Sequence, residues 1–263
     1  MKRKIIIALV VFTSILILSL FCNRTSVRDL PQILADGRLV VMIDNCEDGY
    51  MRDSTGVHGC QYELVKAFAD SLGVELLIKT NNLRTKNFKA LQSAKFDLLA
   101  MVGPKNLERN NITALSPIMA TRLMLVQRQQ APEQKIRKQY ELDNDTIWVL
   151  KNSPFITKLH ELADELAIDI EIEELDLDSY QDLFEHMAKG KNIKFTICPE
   201  HFVKKYATDF PDFDFSLPLS LKFDLSWYVH AYSEDLKARF DVFIELFKES
   251  DDYFALLEKY QYQ

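Results

Sequence analysis

Gly59-Cys60-Gln61-Tyr62-Glu63-Leu64-Val65-Lys66-Ala67-Phe68-Ala69, continued by Leu72-Gly73-Val74-Glu75-Leu76-Leu77-Ile78, runs from a turn through an amphipathic helix into a strand. Leu64, Val65, Phe68, Ala69 and Leu72 fall at helical spacing, which predicts a helix over about 62–72 with one apolar face. Gly73 is placed to cap its C-terminus. Val74 to Ile78 then reads as a strand. Upstream, Leu39-Val40-Val41-Met42-Ile43 is a continuous apolar run, as expected of a strand buried on both faces. The polar stretch Asp44 to Gly59 between strand and helix carries the turn residues Asp48-Gly49 and Gly56. Strand, loop, helix, strand is the repeating unit of an α/β protein.

The same alternation continues outward. A short helix is predicted over Asn87 to Ala94, then a buried strand over Phe96 to Val102. Leu123 to Val126 is another strand. Thr146 to Leu150 begins a second α/β series, with a helix over Phe155 to Leu166 and a strand over Ile168 to Ile172. A helix over Ser179 to Ala188 stops at Gly190. Phe195 to Cys198 is a short strand and Glu200 to Ala207 a helix. Ser226 to His230 is a late strand, followed by helices over Glu234 to Lys248 and Asp252 to Tyr260. Two α/β series predict two lobes. Open α/β sheets bind ligands at the C-terminal ends of their strands, so facing lobes make a cleft.

The formal net charge of the 263 residues is −7, and it becomes roughly −10 once residues 1–21, with Lys2, Arg3 and Lys4, are set aside. Such a surface repels phosphate backbones, so nucleic acid is not an expected partner. The N-terminus decides the compartment. A basic head precedes the uncharged run Ile5 to Phe21, and Cys22 follows it. Residues 1–21 read as a signal peptide or signal anchor, and 22–27 as a tether. Cys22 resembles the lipidated cysteine of a bacterial lipoprotein, although Phe21 stands where a small residue is usual. A lipoprotein, an uncleaved anchor and an ordinary cleaved signal remain the three readings. Each places the rest of the chain outside the cytoplasm, and the first two, which are the expectation here, hold it at the periplasmic face of a bacterial cell membrane, lipid-anchored or signal-anchored. There Cys46 and Cys60, which flank one polar loop, can pair as a disulfide or sit as two small buried thiols. The histidines and cysteines show no metal-ligand spacing, and no metal or cofactor is expected.

At this point the chain resembles the bacterial extracellular solute-binding proteins of family 3. The opening segment, with Leu72-Gly73-Val74, is similar to that family's G-F-D-x-D/E-L-A-x-A stretch. Ala90-Leu91-Gln92 through Asp97-Leu98-Leu99-Ala100, then Glu108-Arg109, Ser116-Pro117 and Leu123 to Val126, resemble successive family stretches in order. Phe254 to Tyr260 resembles its closing segment. The subgroup it looks most like is the binding module that precedes the catalytic domain in membrane-bound lytic murein transglycosylase F. The resemblance implies a two-lobed periplasmic-binding-protein fold of type II, with two crossover strands and C-terminal helices returning to lobe one. Projected onto this chain, lobe one is 28–122 plus 230–263 and lobe two is 127–225, with crossovers at Leu123–Gln127 and Leu225–Val229. The implied motion is hinge closure.

The resemblance also nominates contacts. Arg109 stands where amino-acid-binding members clamp a ligand carboxylate, a bidentate match for a guanidinium. Pro104 replaces the family's threonine, and the lobe-two aspartate falls near Pro199, with Glu200 beside it. The small-residue loop of lobe two is Asn152-Ser153-Pro154. Asp44, Tyr50, Arg84 and Lys151 are further ligand candidates from their loop positions at the ends of strands. The implied function is an exported, monomeric solute-binding protein that closes on an amino acid, peptide or muropeptide-like ligand for transport or sensing. Its partner would be an ABC-transporter permease or cell-wall machinery. A non-catalytic regulatory module of cell-wall metabolism is the alternative. An enzyme on the same fold, such as a dehydratase, ranks third, since no catalytic motif supports it.

Overall fold

A computed structural model of the chain describes residues 27–262, apart from 47, 55, 107, 108, 130–134, 178 and 191. The segment expected to be a signal, the expected tether up to residue 26 and Cys22 within it lie outside the described residues. Among the described residues, no helix is long and apolar enough to cross a membrane.

The first lobe opens with helix α1 (Leu30–Asp36). Asp29 and Gln32 form a capping box at its start, and Gly37 in the left-handed region ends it. Strand β1 (Arg38–Ile43) follows, then a hairpin of β2 (Met51–Asp53) and β3 (Gly56–His58) inside the expected loop. Helix α2 (Cys60–Leu72) starts two residues ahead of the apolar pattern and ends on Gly73 at φ 68°. Strand β4 (Glu75–Thr80), helix α3 (Arg84–Gln92) and strand β5 (Leu98–Pro104) come next. Helix α3 begins three residues before the predicted Asn87, because its first turn, Arg84-Thr85-Lys86, is polar. Short strands β6 (Ile112–Ala114) and β7 (Met119–Thr121) complete this stretch.

The second lobe holds β8 (Leu123–Arg128), β9 (Asp145–Leu150), helix α4 (Ile156–Leu166) and β10 (Ile170–Leu175). Helix α5 (Tyr180–Lys189), β11 (Phe195–Pro199), helix α6 (Glu200–Asp209) and β12 (Phe213–Asp214) finish it. Strand β13 (Phe223–His230) and helices α7 (Glu234–Phe247) and α8 (Asp251–Lys259) end the chain.

Two sheets result. One runs β4-β1-β5-β13-β6, with β7 also on β13; the other runs β10-β9-β11-β8-β12. In each, the strands beside the helices are parallel and the strand that leads in from the other lobe is antiparallel. The chain leaves the first sheet after Thr121 and joins the second at Leu123, with Arg122 between them. It returns between Leu219, whose amide donates to the Leu123 carbonyl, and Phe223, which pairs with Thr121. The stretches expected as crossovers, Leu123–Gln127 and Leu225–Val229, are ladder strands of the second and first sheets respectively, the latter with a register shift against β5 between Ser226 and Tyr228. The turnover between lobes is confined to the few residues before each.

Leu236, Phe240, Ile244 and Leu256 of α7 and α8 share one core with Leu64 and Phe68 of α2 and Trp227 of β13. That core returns the C-terminal helices to lobe one. Phe88 of α3 packs with Leu99, Met101 and Tyr228 on the sheet's opposite face. Lobe two is likewise a sandwich, with Leu159 and Leu162 on one face and Phe184, Met187 and Tyr206 on the other. Burying such aromatic and aliphatic side chains on both faces of each sheet is the main stabilising term.

Candidate functional site

A cavity of about 280 Å³ lies between the lobes. Its walls come from the C-terminal ends of strands, as the parallel topology dictates. From lobe one come Asp44 after β1, Asn82 and Arg84 after β4, and Met101 and Val102 of β5. From lobe two come Lys151 to Phe155 after β9, Asp176 and Leu177 after β10, Tyr180 at the start of α5, and Pro199 to Phe202 around the β11–α6 junction, Glu200 excepted. Tyr260 and Tyr262, beyond α8, close one end.

Asp44 is held by the backbone turn behind it. The Tyr50 amide donates to its carbonyl oxygen at 2.9 Å. A Cβ on Gly49 would come within 2.3 Å of that same oxygen, so only glycine lets the loop fold back there. Burial pushes the Asp44 carboxyl up to about 6, against the opposing pull of the Arg84 guanidinium. One guanidinium edge of Arg84 donates to the Val102 carbonyl at 2.8 Å, which fixes the side chain against β5. Arg84 and Asp48 reach across the cleft to act on the Tyr180 phenol, which burial above all raises well over its ordinary value. Lys151 forms an ion pair with Asp176 at 2.8 Å on the lobe-two rim.

Of the expected ligand residues, Asp44, Arg84 and Lys151 come together in this wall. Three others are placed elsewhere. The exposed Arg109 guanidinium lies 4.3 Å above the ring of buried Phe88 in α3 and does not line the cavity. Tyr50 packs edge-on to Tyr62 at 5.3 Å, against the core beneath α2. Glu200 faces the crossovers. Its carboxylate accepts from Arg122 Nε at 2.7 Å and pairs with Lys222 at 3.5 Å, and its amide donates to the Arg122 carbonyl. The expected lobe-two loop, Asn152-Ser153-Pro154, does line the cavity. Pro104 instead accepts the buried Tyr228 hydroxyl through its carbonyl.

Cys46, Cys60 and Cys198 are free thiols. Cys46 lines the cavity, and its sulfur accepts from the Gly49 amide. Burial raises the Cys46 and Cys60 thiols above their ordinary values, with Asp48 adding to both. Among the described residues, no group of three or more His, Cys, Asp or Glu side chains is arranged to hold a metal ion.

The sequence reading passed over the aromatic end of the cleft. His201 donates or accepts through Nδ1 to Thr121 Oγ1 at 2.9 Å, a bond between lobes, and desolvation lowers it to about 3. Its ring packs on Phe202 and Tyr262, and Tyr180 and Tyr206 line the same cavity. These residues sit in or after helices, where an aromatic looks like core. Only their clustering in space marks them.

The model of the bacterial extracellular solute-binding proteins, family 3, matches residues 39–263. A membrane-bound lytic murein transglycosylase F of Desulfosudis oleivorans is 23% identical over 261 residues, covering 99% of this chain and 56% of the relative. Its counterpart in Pseudomonas putida is 28% identical over 204 residues, covering 77% of this chain and 41% of the relative. The chain thus spans about half the length of these curated relatives. Among solved structures, an ancestral arginine-binding protein bound to arginine superposes with a TM-score of 0.69 at 18% identity, covering 85% of this chain and 98% of that one. The solute receptor for L-cysteine of Neisseria gonorrhoeae gives 0.70 at 18% identity, covering 88% and 93%. These likenesses establish the fold.

Proposed function

The chain belongs to the bacterial extracellular solute-binding proteins of family 3, and on that premise we propose that it takes one small charged solute between its lobes without transforming it. The observation that carries this reading is the pairing of Asp44 with Arg84 on one wall and Lys151 on the other, around a cavity of amino-acid to dipeptide size. A guanidinium fork suits a carboxylate, and a desolvated carboxylate suits an ammonium. An amino acid, a short peptide or a muropeptide-like fragment carries both. The protein would work outside the cytoplasm, tethered through its N-terminus, and pass its solute to a transporter or report its presence. Tyr50, Arg109 and Glu200 then serve the scaffold around the cleft.

A second reading has its own support. The relatives named above are transglycosylases, matched over about half their length, so a non-catalytic module of cell-wall metabolism fits the same geometry. A thermal-shift panel of amino acids, dipeptides and muropeptides separates the two. A bound solute at about 100 times its dissociation constant adds roughly 2.7 kcal/mol. A shift from free amino acids supports transport or sensing, and one confined to muropeptides supports the cell-wall module. Arg84→Ala and Asp44→Asn are expected to abolish the shift and Arg109→Ala to leave it. If no solute in the panel moves the melting point, the binding reading fails.

A further inference from the structure

Residues 260–262 leave α8 and run along the cleft. The Tyr260 hydroxyl accepts from the Gly59 amide at 2.7 Å and donates to Glu63 Oε1 at 2.6 Å, which fastens it to lobe one. The Tyr262 amide donates to the Leu257 carbonyl at 2.8 Å, and its ring packs on the lobe-one core. The same ring meets two side chains of lobe two. Its centroid lies 4.9 Å from that of His201 and 5.5 Å from that of Phe202, both edge-on. His201 and Phe202 are in the first turn of α6, and all three rings line the cavity. Tyr262 is therefore one side chain with a foot in each lobe.

Aromatic filling of a core would explain the ring alone. It does not explain the hydroxyl, which is buried without a hydrogen-bond partner among the described residues. Such a group costs stability, and phenylalanine would fill the space without it.

We propose that Tyr262 is the gate residue of the solute cleft: its ring latches α6 of lobe two onto lobe one, and a solute that reaches the His201 end must move it. This rests on the solute-binding reading for its purpose, but the latch exists or fails without any solute. Edge-on ring contacts are broken when the lobes part and re-formed when they close, so the ring biases the opening equilibrium. The place of His201 reinforces the point, since its bond to Thr121 crosses between lobes beside the same ring.

Cys46 supplies the measurement. It lines the cavity, whereas Cys198 is fully buried in lobe two and serves as a control. Full-length protein in detergent is treated with iodoacetamide, and each cysteine is followed by peptide mass mapping. Tyr262→Ala is expected to speed Cys46 modification by roughly three- to ten-fold, the scale of losing one or two ring contacts across an opening equilibrium. Phe202→Ala, which removes the platform from the other lobe, should do the same. Tyr262→Phe should stay within about two-fold of the parent protein, because it keeps the ring. Cys198 should be unchanged throughout. The proposal is overturned if Tyr262→Ala leaves the Cys46 rate alone, if Tyr262→Phe accelerates it equally, or if Cys46 and Cys198 accelerate together, which would make the ring general core filling. A panel in which no solute binds would sink the binding reading and leave this measurement standing.

Discussion

Asp44 shows what a single side chain gives up to stand in the cleft. Its carboxyl titrates near 6 in the folded protein against an ordinary 3.8, because burial outweighs the help from Arg84. The folded state therefore holds this proton more tightly than the unfolded chain does. The contribution to stability is full below the lower value and is lost as pH rises through 6, on the order of 2–3 kcal/mol in total. Asp44→Asn should abolish that loss. Denaturant titrations are expected to find the variant more stable than the parent at about pH 8, with the gap closing toward about pH 4. Equal stability at the higher pH would show that the carboxyl is well solvated. Asp44 was legible from sequence because it is the first acid after a buried strand. Lys151 was legible for the same reason, whereas Arg84, which opens α3, was singled out by its loop position at the expected cleft rim. Tyr262 was not, since a tyrosine after an amphipathic helix has the pattern of core.

At the scale of elements, the junction between lobes is built around α6. Glu200 opens that helix and ties to Arg122 on one crossover and Lys222 on the other. Its neighbours Pro199 and His201 line the cleft. Cleft wall and crossover are thus successive residues of one turn. The ion pairs are partly exposed, so their contribution to global stability is small. Glu200→Gln should change the unfolding free energy by less than about 1 kcal/mol. Hydrogen exchange at residues 121–123 and 219–223 should nevertheless rise in the variant, because these amides are released by local opening. Unchanged exchange there would show that backbone bonds alone hold the crossovers. The acid itself was conspicuous in sequence, but which way it faces depends on two cations 78 and 22 residues distant in the chain. Local periodicity carries no trace of such pairings. It also carried little of α3, whose polar first turn hides its start, or of the β2–β3 hairpin, whose residues are largely exposed.

For the whole molecule, the two-lobed plan was readable because each sheet is made of continuous apolar runs separated by amphipathic helices. The order of strands was not readable from periodicity. It is seen only in the folded sheets, β4-β1-β5-β13-β6 and β10-β9-β11-β8-β12. What binds the start of the described chain to lobe one is a part-buried ion pair. Arg28 Nη1 donates to both Asp97 carboxylate oxygens at 3.1 and 2.9 Å, and the Val40 amide donates to Oδ2 at 2.8 Å. Asp29 caps α1 and also accepts from the amides of Asp235 and Leu236 at the head of α7. Asp97→Ala removes a nearly enclosed carboxylate, leaves the Val40 amide without its acceptor and Arg28 with only Asp36 and the Arg38 carbonyl, and should cost about 3 kcal/mol of stability in urea titrations. A cost within error would mean that Arg28 finds water instead.

This staple at residues 28–29 has a mechanical consequence. It rivets the first described residues to the sheet and to the C-terminal helices of one lobe. A force arriving along the chain from its N-terminal side is spread into that lobe's core before it can reach Arg122 or the 220–222 return. One half of the molecule is therefore the fixed jaw and the other the free one. Were the N-terminus tethered and a solute bound as proposed, lobe two would be the half left to swing while the tether pulls or slackens.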